Sequence, residues 1–266
     1  MNDTDDNKDG TKKSENPNLF WFATEGGRLL VEYGMHLPFR FAKPPNSGDG
    51  HPVLVIPGVF NKDDATAPLR HFLKKVGYTT YPWELGRNMG KEGYLDQLGD
   101  KIQRIHEETG EQISIIGISL GGIYARELAK AYPKIIRQVI TMGTPFNNLM
   151  AETHLYKIFK LVKYRKEEKD LNYELIKDFP NPPKKVPCTS IYTKEDGIVP
   201  WENCIQHDPP NNFQNIQVHG SHFGLVLNLS VWNIVENRLQ LNGENWIPFS
   251  SQSVVADKFL YPSLGS

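Results

Sequence analysis

Ile113-Ser-Ile-Ile-Gly-Ile-Ser-Leu-Gly-Gly-Ile-Tyr-Ala125 is the stretch on which the reading of this chain turns. It opens as an apolar, β-branched run, Ile113 to Ile116. It turns through Gly117-Ile-Ser-Leu-Gly121 and then enters a helical pattern from Gly122 to Ala131. A G-x-S-x-G pentapeptide between a strand and a helix places its serine at the apex of a sharp, strained turn with the hydroxyl outward. The residues two before and two after must be small, because strand and helix come very close there. Gly117 and Gly121 meet that demand. Ser119 then needs a base, an acid to orient it, and donors for an oxyanion.

On either side the chain alternates. His51-Pro-Val-Leu-Val-Ile-Pro-Gly58 reads as a buried strand. Thr66 to Val76 is a helix stopped by Gly77, and Tyr78 to Leu85 is a second strand. Tyr94 to Thr109 is an amphipathic helix closed by Gly110. After the Ser119 turn, Ile135 to Met142, Pro187 to Thr193 and Asn215 to His219 read as further strands. A last helix runs from Ser230, its expected N-cap, to Leu239. Such alternation implies an α/β fold with a mostly parallel sheet and helices on both faces. Residues 147–187 break the rhythm with a helical pattern and a lysine-rich run, read as a small lid-like helical insertion. Residues 1–18 are polar and of mixed charge, the composition of a disordered tail. No repeat or linker divides the remainder, so 19–266 is expected to be a single domain.

Composition narrows the function. Lys and Arg total 30 against 31 Asp and Glu, which leaves no field for nucleic acid. There is no P-loop, no dinucleotide fingerprint and no zinc-spaced Cys/His cluster, so no cofactor or metal is expected. Cys188 and Cys204 read as buried free thiols. No apolar leader follows Met1 and no run is long enough for a membrane span, so a cytoplasmic protein is expected. Leu19 to Phe41, bulky and apolar with charges interleaved, admits two readings. It packs on the core, or it touches lipid and covers an acyl groove, which would make peripheral membrane contact.

The partners of Ser119 follow from chain order, which on this architecture runs Ser, acid, His. Of the four later histidines, His154 lies in the insertion and His207 in a Pro/Asn-rich loop. His222 lies in the loop beyond the last strand, within reach of a carboxyl-end site, and is the expected base, with His219 second. Glu195 and Asp196 both follow the preceding strand. Asp196 is preferred because Gly197 permits the turn that would aim it inward. The oxyanion hole is expected from the backbone N–H of Leu120 and of Val59, with Phe60 as the fallback. Phe60 and Arg87 are also candidate substrate contacts, although an arginine in such a loop more often pairs with a local Asp or Glu.

At these residues the chain resembles the α/β-hydrolase superfamily, and within it the bacterial esterase/lipase-like proteins. The matching pieces are Val53-Leu-Val-Ile-Pro-Gly-Val-Phe60, Thr66-Ala-Pro-Leu-Arg70, Leu85-Gly-Arg-Asn88, Gly117-Ile-Ser-Leu-Gly-Gly122, Asp196-Gly-Ile-Val199 and Gly220-Ser-His-Phe-Gly-Leu225. The resemblance spans roughly residues 50–245. It implies Ser119 as nucleophile, Asp196 as acid and His222 as base. It departs at the oxyanion turn, where Pro57-Gly58 stands in place of the His-Gly of many lipases. The expected activity is hydrolysis of a small-molecule ester or lipid through an acyl-enzyme. Acyl transfer or thioester cleavage by the same residues is the alternative, and a non-catalytic binding protein would require a broken triad.

Overall fold

Apolar runs bounded by turn residues become six parallel strands among the described residues. The computed structural model describes residues 18–37, 47–91, 93–147, 180–241, 245–250 and 259–264. In chain order the elements are α1 (Leu19–His36), β1 (Pro52–Ile56), α2 (Ala67–Val76), β2 (Thr79–Tyr81) and α3 (Tyr94–Thr109). Then come β3 (Ile113–Ile118), α4 (Leu120–Ala131), β4 (Ile136–Met142), β5 (Cys188–Tyr192), β6 (Phe213–Gln217) and α5 (Leu229–Leu239). The expected tail falls outside the described residues over 1–17, as does the expected lid over 148–179. No described helix is long and apolar enough to cross a membrane.

The sheet order is β2-β1-β3-β4-β5-β6, every pair parallel. All five residues of β1 and of β5 are buried, as strands covered on both faces must be. Alternate residues feed two cores. Leu54, Ile56, Ile113 and Ile115 pack against α3 and α4, while Val53, Val55 and Ile116 pack against α2 and α5. Each fully buried aliphatic side chain contributes about 1.5–3 kcal/mol. The chain leaves β1 toward β2 on one side and reaches β3 on the other, so the strand order reverses between β1 and β3. A crevice at the carboxyl ends of the strands opens at such a switch point.

Most boundaries match the sequence reading. Gly77 and Gly110 close α2 and α3 in the left-handed conformation, with φ of 113° and 71°. Three differ for identifiable reasons. β2 ends at Tyr81, because Pro82 has no N–H to continue the ladder. β6 ends at Gln217, where its partner β5 ends at Tyr192, so His219 lies beyond the strand and not within it. α5 is capped by Asn228, whose side chain accepts from the Ser230 and Val231 amides, and Ser230 is already inside the helix.

Candidate active site

The turn after β3 has the strain that the pentapeptide implies. Ser119 has φ 50° and ψ −121°, a conformation that costs about 1–3 kcal/mol outside glycine. Close approach explains the glycines around it. A Cβ on Gly117 would fall 2.4 Å from Gly122 Cα, and one on Gly121 would fall 2.4 Å from the Ile56 carbonyl oxygen. The Ser119 amide donates to Met142 O at 2.8 Å, which ties the turn to the end of β4.

Across the switch point lies the loop after β1. A Cβ on Gly58 would sit 3.3 Å from Ser119 Cβ, so glycine there serves proximity. The left-handed residue of the loop is Phe60, at φ 63°, and not Gly58. Asn88, fully buried, braces this loop. Its Nδ2 donates to Pro57 O at 2.9 Å, its carbonyl accepts from the Phe60 amide at 2.7 Å, and its amide donates to Asn61 O at 2.9 Å. The Phe60 amide is therefore occupied. The Leu120 and Val59 amides have no acceptor among the described residues. They flank the Ser119 turn from its helix side and its loop side. Arg87, exposed, donates through Nη1 to Phe60 O at 2.9 Å, so its structural partner is a carbonyl and not an acid.

Asp196 and His222 meet as a buried pair. Asp196 Oδ1 accepts from the Ile198 and Val199 amides at 2.8 and 2.7 Å, and Oδ2 lies 2.6 Å from His222 Nδ1. A carboxylate only accepts, so Nδ1 carries the proton and Nε2 is left as the acceptor. Burial disfavours the imidazolium. The Asp196 charge and hydrogen bond, with the charge of Glu25, outweigh it and hold the His222 pKa above the ordinary histidine value. Ser119 and His222 line one pocket of about 620 Å³, with Leu29, Leu30 and Tyr33 of α1, Val59, Phe60, Arg87 and Phe223. Ser119 Oγ has no hydrogen-bond partner among the described residues. Catalytic hydrogen bonds often tighten only when substrate is bound.

The second-choice residues find each other elsewhere. Glu195 Oε1 pairs with His219 Nδ1 at 2.6 Å, with the histidine side chain 56% exposed. Three participants in the geometry have no place in the sequence reading: Asn88 as a brace, and Glu25 and Glu32 of α1, which bind the loops carrying Asp196 and His222. The spacing of Glu25, Arg28 and Glu32, on one helical face, is the signal that could have found the last two.

No protein-family model matches the chain. A carboxylesterase of Bacillus subtilis strain 168 is 22% identical over 232 residues, covering 83% of this chain and 90% of that protein. The structure of Paleococcus ferrophilus monoacylglycerol lipase is similar at a TM-score of 0.51 and 13% identity, over 74% of this chain and 95% of the lipase. Aspergillus fumigatus lipase B is similar at 0.55 and 15% identity, over 77% of this chain and 57% of the lipase. The reversed strand order, the strained turn after β3 and these structural likenesses show that the chain has the α/β-hydrolase fold.

Proposed function

We propose that the chain hydrolyses carboxylic esters, with Ser119 as nucleophile, His222 as general base and Asp196 as its orienting acid. The observation that carries the reading is the strained Ser119 turn at a pocket it shares with His222, the buried partner of Asp196. The similarity to a carboxylesterase and to two lipases supports the same reaction class.

In the proposed sequence, Ser119 Oγ attacks the acyl carbon while His222 Nε2 takes its proton. The carbonyl oxygen, now negative, is held by the Leu120 and Val59 amides. Collapse expels the alcohol, which leaves with the proton from His222, and the acyl group remains on Ser119. Water, deprotonated by the same imidazole, repeats the attack and releases the acid. The substrate is a small-molecule ester or a lipid, its acyl chain lying along the apolar wall formed by Leu29, Leu30 and Phe223. Phe60 and Arg87 contact it at the loop side.

Fluorophosphonate labelling with mass spectrometry tests the nucleophile. The wild type should label on Ser119 and Ser119→Ala should not. On p-nitrophenyl butyrate, Ser119→Ala and His222→Ala should each lose about 10⁴-fold or more in turnover, while His219→Ala retains most of it. Equal labelling of wild type and Ser119→Ala, or greater loss in His219→Ala than in His222→Ala, would remove the assignment.

A further inference from the structure

The charged residues of α1 face inward. Glu25, 3% exposed, accepts through Oε1 from the Gly197 amide at 2.9 Å and the His222 amide at 3.1 Å. Its Oε2 accepts from the Phe223 amide at 3.5 Å. One carboxylate thus binds the backbone beside Asp196 and the backbone of His222 itself. Arg28 Nη2 pairs with Glu25 at 3.0 Å, and its Nη1 donates to Gly220 O at 3.4 Å. Two turns along, Glu32 accepts from the Ser221 amide at 2.7 Å and from Ser221 Oγ at 2.5 Å. The fit is close: a Cβ on Gly197 would lie 2.4 Å from Trp21 C.

We propose that α1 belongs to the catalytic apparatus, with Glu25 as the positioning residue that joins the acid-bearing and base-bearing loops and sets a second negative charge beside the His222 imidazole. The proposal rests on His222 being the base of the reaction described above. Loop amides without a ladder partner must find acceptors, and an apolar side chain at position 25 could not supply them. A buried carboxylate is costly unless it is paired and hydrogen-bonded, and Glu25 has both a cation and amide donors. Its charge acts in the same direction as that of Asp196, favouring the imidazolium. The other charges around His222 are Arg28, which offsets Glu25 in part, Glu32 at Ser221, and the pair of half-buried Glu195 with exposed His219.

The test separates charge from scaffolding. Glu25→Gln keeps an amide-accepting oxygen and removes the charge. The His222 imidazole is titrated by NMR, its signals assigned with His222→Asn, alongside the pH dependence of kcat/KM on p-nitrophenyl butyrate. In Glu25→Gln the His222 pKa should fall by roughly 0.5–1, with the acidic limb of kcat/KM moving by the same amount. Arg28→Met should move it upward, because the offsetting cation is gone, and this variant keeps the test decisive if Glu25→Gln does not fold. A His222 pKa unchanged in both variants, or moved the same way in both, would overturn the proposal. The titration is independent of turnover. If wild type fails to label on Ser119, the hydrolase reading falls while the NMR still reports whether Glu25 and His222 are coupled.

Discussion

Ser114, and not only the proposed nucleophile Ser119, has a histidine and an aspartate at hand. Ser114 Oγ lies 2.8 Å from His51 Nε2, and His51 Nδ1 lies 2.5 Å from Asp49 Oδ1, with Arg137 on the second carboxylate oxygen at 2.9 Å. By hydrogen-bond pattern alone this is a better-formed Ser-His-Asp chain than the one proposed at Ser119. It stands at the amino end of β3, about 16 Å away at the rise of a strand. Ser114 is fully buried, at a register irregularity between β3 and β4, and His51 is buried with it, so no substrate carbonyl could reach it. Ser119 differs by backbone and place, being left-handed at the carboxyl end beside two amides without acceptors. Ser114→Ala should therefore leave fluorophosphonate labelling intact. It leaves His51 Nε2 short of a partner, at about 1–3 kcal/mol, so thermal unfolding should show a melting point several degrees lower. Loss of labelling in a folded Ser114→Ala protein would mean the wrong serine has been assigned.

The same distinction between chemistry and support appears in the elements. The loop after β1 has no ladder of its own, and Asn88 holds it at three points. Under the proposed mechanism that bracing fixes the Val59 amide. Asn88→Ala should lower kcat for p-nitrophenyl butyrate by about tenfold to a hundredfold with KM nearly unchanged, less than the 10²–10³ expected for deleting a donor. A change confined to KM would place Asn88 in substrate binding instead. Helix α1 shows the reverse of ordinary amphipathicity. Glu25, Arg28 and Glu32 bind inward, while Leu30, Val31 and Met35 are exposed. The segment meets the body of the protein through these charges, and Leu29, Leu30 and Tyr33 wall the pocket. Glycines that ended helices, and strands of unbroken apolar character, were legible without coordinates. The inward turn of the α1 charges was not, because an apolar face is ordinarily the buried one.

At the scale of the molecule, two buried histidines link protonation to stability with opposite sign. Burial first, and the Arg137 charge, outweigh Asp49 and hold the His51 pKa below the ordinary value. Its contribution is complete above about pH 6.5 and is lost as pH falls from there through the folded pKa. His222 has a raised pKa, so its contribution is complete below about 6.5 and is lost as pH rises through the folded value. Between pH 5.5 and 7.5 the two oppose each other. Calorimetric melting points at both pH values should show a smaller acid-side decline in His51→Gln than in wild type, and a larger one in His222→Gln. Equal pH differences in all three proteins would refute the linkage.

Much of this molecule is written locally. Periodicity and turn residues determine the order of strands and helices, and G-x-S-x-G between Ile116 and Gly122 requires a strained apex whatever surrounds it, because no larger residue fits at Gly117 or Gly121. Chain order brought Asp196 and His222 forward as partners. The tertiary structure decided what depends on long-range geometry. It separated His222 from His219 by pairing the first with buried Asp196 and leaving the second exposed on Glu195, engaged the Phe60 amide through Asn88, and set Glu25 against loops 172 and 197 residues away. Those outcomes turn on which backbone groups lack a partner after the sheet has formed, a property of the assembled fold and of no segment alone.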